Sequence, residues 1–140
     1  MKLFYLFLTG FFISLGAVAQ NSWKVLLNDK TVLNSSTENE QKNFVLIKKD
    51  DLKKKKDFSI FYSEKNKKNN WQRIIALYDE NDQELFQQEG AKLKIPNASL
   101  QSYFKKAKKI NIYTWALPTD PKLKAAIRIR RVHLCTLILQ

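Results

Sequence analysis

The chain is patterned mainly in short alternating segments. Over 23–27, Trp23, Val25 and Leu27 share one side of an extended segment, because successive strand side chains point to opposite faces. Asn28-Asp29-Lys30 is a turn signal, and Thr31-Val32-Leu33 returns as a hairpin partner. After a polar loop over 34–43, residues 44–47 (Phe-Val-Leu-Ile) form an apolar run of buried-strand length, and 58–62 alternates as another strand. Over 71–78, Trp71, Arg73, Ile75 and Leu77 lie on one face, with Ile74, Ala76 and Tyr78 on the other. A turn at 79–82 leads to a return strand around Leu85, and 92–95 alternates until Pro96-Asn97 stops it. The segment 109–115 sets Ile110, Ile112 and Thr114 against Asn111, Tyr113 and Trp115.

Helical spacing predicts one short helix over 98 to about 106: Leu100, Tyr103 and Phe104, with Ala107 just beyond, recur three and four apart, and Asn97 stands as a candidate cap. The two prolines within 116–124 predict a loop. The final segment, 125–139, reads as the longest strand. Ile127 and Ile129 alternate with Arg128 and Arg130, then Val132, Leu134 and Ile138 take the opposite phase. A one-residue bulge near Arg130-Arg131 reconciles the two phases. These elements predict an antiparallel β-sandwich of about eight short strands with at most one short helix; a small β-barrel is the alternative.

The first residues read differently. Lys2 precedes an apolar run, and Ala17-Val18-Ala19 offers an A-x-A processing site that resembles the endings of bacterial export signals. The apolar stretch from Leu3 to Ala19 contains two glycines and is short of the roughly 20 residues that span a bilayer. The expectation is a cleaved signal peptide over 1–19 and a single β-sandwich domain over 20–140. The protein would then be exported to the periplasm or medium. No cysteine stands at the processing site, so lipoprotein attachment is not expected.

Charge and composition narrow the function classes. Lys and Arg number 25 against 13 Asp and Glu, a net charge of +12; without Lys2 the balance is 24 to 13, or +11. A single cysteine and a single histidine exclude a disulfide framework, a multi-cysteine zinc site and a two-histidine metal face. Gly90 is the only glycine in 20–140, so no phosphate-cradling glycine loop exists there. No metal ligands, no catalytic residues and no cofactor are expected.

Several pairs of residues invite chemistry and have plainer explanations. His133 and Cys135 are two apart and would share a face of a regular strand; packing beside the core explains both better than a nucleophile couple. Asp79, Asn81 and Gln83 alternate as calcium ligands do, but the central glycine and terminal glutamate of such a loop are missing, which leaves a hairpin turn. Asp120 between Pro118 and Pro121 predicts a side-chain-stabilised turn. A small carboxylate hydrolase is a remote alternative.

The lysines over 53–56 and 65–68 read as solvated loops, and the high lysine and asparagine content allows the charge to reflect composition. Arginine is scarcer. Three of the four arginines, Arg128, Arg130 and Arg131, lie in one segment, and the planar guanidinium suits carboxylates and phosphates. Arg128 and Arg130 are the candidate ligand-binding residues. Trp23, Trp71 and Trp115 offer either a sugar-stacking platform or core packing. The expected function is non-enzymatic binding by an exported, envelope-associated protein. Its candidate partners are a polyanionic glycan, a lipid headgroup or another envelope protein. The alternative is a structural or assembly subunit. Export disfavours nucleic acid as a partner, and no transmembrane segment remains after cleavage.

Overall fold

In a computed structural model, residues 20–140 are described; the expected signal peptide, 1–19, lies outside the described residues. Ser22–Leu27 (β1) and Lys30–Ser35 (β2) pair as a hairpin around Asn28 and Asp29. Both loop residues have positive φ, 53° and 66°, the requirement of a two-residue turn whose twist matches its strands. Asn and Asp accept that conformation more readily than other non-glycine residues.

The remaining elements are Phe44–Ile47 (β3), Asp57–Ser63 (β4), Trp71–Tyr78 (β5), Glu84–Glu89 (β6), Lys92–Pro96 (β7), Asn97–Phe104 (α1), Lys109–Pro118 (β8), Pro121–Ala126 (α2) and Val132–Leu139 (β9). One sheet has the order β2-β1-β4-β7 and the other β3-β9-β8-β5-β6. Every pairing is antiparallel except β3 with β9, so the second sheet is mixed. The sheets stay open at their edges and form a sandwich, not a barrel.

The alternating residues meet between the layers. Trp23, Val25, Phe58, Ile60, Leu93 and Ile95 come from the first sheet; Val45, Ile47, Ile75, Leu77, Ile110 and Ile112 come from the second. Each fully buried residue of this kind contributes about 1.5–3 kcal/mol relative to exposure, and the set makes one continuous core.

Several details differ from the sequence-based expectation. First, there are two short α-helices. Asp120 caps α2, its side chain accepting from the Lys122 N–H at 2.9 Å, and Pro121 follows at the first helical position. No residue of α2 is buried, so it carries no apolar periodicity to detect. Second, Asn97 lies inside α1 and does not cap it. Its amide nitrogen instead reaches the Lys54 carbonyl at 3.1 Å and Asn28 Oδ1 at 2.6 Å, pinning the loop after a 3-10 turn at Lys49–Lys53. Third, the last segment is not one long strand. Residues 127–131 lie outside any helix or strand, and β9 begins only at Val132.

The bulge exists, but at Leu134. Ile112 is opposite Cys135 and Tyr113 is opposite His133, so Leu134 is the extra residue. It shifts the side-chain phase by one, and both Leu134 and Cys135 enter the core. His133 instead packs on the outer face, edge-on to Tyr113 at 5.6 Å. His133 and Cys135 therefore point to opposite sides of the sheet, contrary to the regular-strand expectation.

Candidate functional site

The core-facing side of β5 carries Ile75 and Leu77 in the interior and Arg73 at its end. There β4 finishes and Glu64 follows. The Arg73 Nε–H donates to Glu64 Oε1, and Nη1 donates to Thr114 Oγ1 at 3.0 Å. Thr114 sits on the same face of β8, and its hydroxyl donates to the Ile74 carbonyl at 2.7 Å. The Arg73 and Glu64 side chains are only 13% and 17% exposed, so this is an ion pair largely withdrawn from water. Such a pair is tolerated when further hydrogen bonds satisfy its atoms, a need that Thr114 partly meets.

An aromatic column holds the guanidinium. Its carbon lies 4.2 Å from the Tyr62 ring centroid. Tyr62 stacks on Trp23, with centroids 6.0 Å apart and planes 13° apart. The Trp23 indole N–H donates to the Leu134 carbonyl in the other sheet. Burial pushes the Tyr62 hydroxyl above its ordinary pKa, and the Arg73 charge works against that rise. The column ties both sheets to one fixed cation.

Two clefts share Tyr62, Glu64 and Arg73 as a wall. One, of about 630 Å³, is completed by Lys67, Trp71, Gln72, Glu89, Ala116 and Thr119, with Gly90 and Ala91 between. Gln72 Nε2 donates to Glu89 Oε2 at 2.5 Å. Gly90 has φ +110°, which strains any other residue, and a Cβ added there meets nothing within 4 Å. The other cleft, of about 490 Å³, includes Asn21, Glu38, Lys65, Asn66, Arg130 and Val132. Arg130 Nη2 donates to Glu38 Oε2 at 2.8 Å, while Glu38 Oε1 accepts from the His133 backbone N–H at 3.0 Å. The His133 N–H and then the Arg130 guanidinium lower the Glu38 pKa, against the opposing effect of burial.

Of the two arginines expected to bind ligand, Arg130 thus reaches a cleft. Arg128 is exposed in the 127–131 segment and lines neither cleft. Because that segment is not a strand, the two do not project from a common strand face. Arg131 turns elsewhere, donating to Asp82 at 2.9 Å and lying over the Tyr78 and Tyr113 rings. Lys53, Lys54 and Lys56 make exposed ion pairs with Asp50, Asp51 and Asp29, as solvated loop residues do. The tryptophans do not form a platform: Trp23 is in the core, Trp71 borders the larger cleft, and Trp115 is half-buried on β8.

The remaining candidates take structural roles. Cys135 is fully buried, and burial pushes its thiol far up, away from the thiolate a nucleophile needs. The Thr136 hydroxyl donates to Asn111 Oδ1 at 2.7 Å, so it accepts from His133 Nε2 at 2.8 Å. The imidazole is therefore held with its proton on Nε2, leaving Nδ1 buried with no hydrogen-bond partner among the described residues. Asp79 Oδ1 accepts from the Asn81 and Gln83 N–H groups at 2.8 and 2.9 Å, which makes it a turn residue. Among the described residues, no three metal-ligating groups cluster.

Sequence reasoning missed Arg73, Glu64 and Tyr62 as a unit. One signal was present: Arg73 occupies a position that the β5 pattern assigns to the core, and a charge there demands a built environment. No family model matches the chain, and no curated protein matches it.

Proposed function

We propose that this protein is an exported, non-enzymatic binding module of the cell envelope that recognises an acidic glycan at the end of the sandwich where Arg73 and Arg130 border one cleft. The observation that carries this reading is the fixing of Arg73. Glu64, Thr114 and the Tyr62 ring hold its guanidinium, yet only two of its five N–H donors are used by those hydrogen bonds. A preorganised fork is the geometry that carboxylate or sulfate groups select. Arg130 and Lys65 add positive charge along the same cleft, and Arg128 lies two residues from Arg130. The net charge of +11 on residues 20–140 concentrates anions around the protein as a whole. The separation of His133 from Cys135 supports binding over nucleophilic catalysis.

The test is binding of the exported protein to a sulfated glycan and to anionic vesicles across a salt series. Glycan binding should weaken steeply with salt. The Arg128→Ala/Arg130→Ala pair should weaken it more than Lys53→Ala/Lys54→Ala. Equal weakening by both pairs, or no glycan binding at low salt, overturns the reading; binding to vesicles alone reassigns the ligand to a lipid headgroup.

A second reading, as an assembly subunit, has one specific support. β3 is a sheet edge, and its alternate residues Phe44 and Leu46 are 44% and 49% exposed. Edge strands with apolar exposure favour pairing with another chain. A stable oligomer disrupted by Leu46→Lys supports that reading; a monomer at all concentrations removes it.

A further inference from the structure

The larger cleft differs from its neighbour in charge. Two carboxylates, Glu64 and Glu89, are balanced along its walls by two cations, Lys67 and Arg73. An anion gains little from such a lining. The volume, about 630 Å³, falls in the range of about 300–1,000 Å³ that holds small organic ligands.

The lining has three kinds of surface. Trp71 is half-buried and lines the cleft. The Lys68 ammonium lies 4.8 Å from the Trp71 ring, but Lys68 is outside the cleft lining, so this cation does not fill the space. Gly90, Ala91 and Ala116 leave room by having little or no side chain. Two polar pairs complete the wall. In each, a carboxylate acceptor is held beside a nitrogen donor: Glu64 with Arg73, and Glu89 with Gln72.

That combination fits one chemical class. A saccharide ring has an apolar C–H face that packs on an aromatic ring, and adjacent hydroxyls that each donate and accept. Paired carboxylate and N–H groups offer an acceptor and a donor side by side, which a run of lysines cannot do. Both pairs are already fixed in the protein, so little ordering is lost on binding. We infer that the cleft bounded by Trp71, Gln72, Arg73 and Glu89 binds an uncharged saccharide ring. This site shares Arg73 and Glu64 with the anion reading but not Arg130 and Lys65, which lie in the neighbouring cleft, and the saccharide contacts are neutral in sum.

The experiment titrates the protein with neutral trisaccharides (maltotriose, cellotriose and N,N′,N″-triacetylchitotriose), following the Trp71 indole and Gln72 side-chain amide signals by NMR. At least one sugar should shift both signals saturably, and the shifts should persist at high salt, where glycan binding through Arg130 is screened. Trp71→Ala should weaken that sugar by about tenfold or more. Glu89→Gln, an exposed change that keeps the shape, should also weaken it while leaving the thermal midpoint unchanged. No shift from any of the three at millimolar concentration overturns the proposal, as does undiminished binding by both variants. Failure here leaves the salt-dependent binding of sulfated glycan intact, and failure there leaves this titration intact.

Discussion

The indole N–H of Trp23 on β1 donates to the carbonyl of Leu134 on β9 at 2.9 Å, joining the two sheets through residues 111 apart in sequence. Leu134 is the residue that the bulge leaves without a partner in the β8 register. The bulge thus supplies a carbonyl for a cross-core bond that a regular strand would spend on its neighbour. Trp23→Phe keeps an aromatic ring against Tyr62 but strands that buried carbonyl. The expected loss is about 1–3 kcal/mol, read as a lower urea midpoint with an unchanged denaturant slope.

The Arg73–Glu64 pair should show strong coupling. Removing either partner leaves the other charge largely buried, which is costlier than removing both. Arg73→Met and Glu64→Gln should each destabilise by about 1–3 kcal/mol. The double variant should lose at least about 1 kcal/mol less than the sum. A double-mutant cycle in urea measures this, and simple additivity would mean the pair is solvated.

Much of the architecture is written in side-chain alternation. Val25, Ile60, Leu93, Ile75 and Ile112 all fall inside where a period of two places them. The signal faded where structure depends on something other than burial. α2 has no buried side chain, so only Asp120-Pro121 announced it. The bulge at Leu134 is hard to place because the adjacent Leu134 and Cys135, with Leu137 after Thr136, are apolar and satisfy either phase. The site was harder still. Arg128 and Arg130 stood out by crowding, whereas Arg73 acquires its role only when Glu64, Thr114 and Tyr62 arrive from other strands. That convergence is tertiary and leaves only one out-of-phase charge in the sequence.

The buried thiol gives an alkaline signature. Burial raises the Cys135 pKa above its ordinary value of 9.0. Above that value the unfolded chain loses a proton that the folded chain keeps. Its contribution to stability is therefore complete below about pH 9 and falls as pH rises further. Cys135→Ala should flatten the wild-type decline between pH 9 and 10.5. A thiol reagent should label Cys135 only after denaturation; rapid native labelling would contradict its burial.

The acid limb belongs first to His133. Burial lowers its pKa below the ordinary 6.5, against the attraction of Glu40 and Glu38. The unfolded chain then takes up a proton near pH 6.5 that the folded chain refuses. Stability should be level above that pH and decline as pH falls below it. Glu38, whose pKa is lowered by the His133 N–H and Arg130, adds a further loss below about pH 4.5. His133→Gln should remove the first decline and keep the second, as followed by thermal melts across pH.

The hairpin turn offers a stabilising change. Asn28 and Asp29 both hold positive φ, and glycine meets that demand without a side-chain clash. Asp29→Gly should raise stability by up to about 1 kcal/mol, since the Asp29–Lys56 contact it removes is exposed and long, at 3.5 Å. Differential scanning calorimetry would detect the shift.

The parallel pairing of β3 with β9 sets the order in which the chain becomes a folded object. Phe44 takes its place beside Thr136 and Ile47 beside Leu139, and β8 needs β9 on its other side. The first sheet, by contrast, can close once β7 has emerged, because β2, β1, β4 and β7 all precede residue 97. A chain leaving the ribosome can therefore pair the first sheet, and β5, β6 and β8 of the second, while β3 has no strand beside it until Val132–Leu139 appears. Non-local closure of this kind folds slowly. The interior is therefore sealed only when β9 enters between β3 and β8.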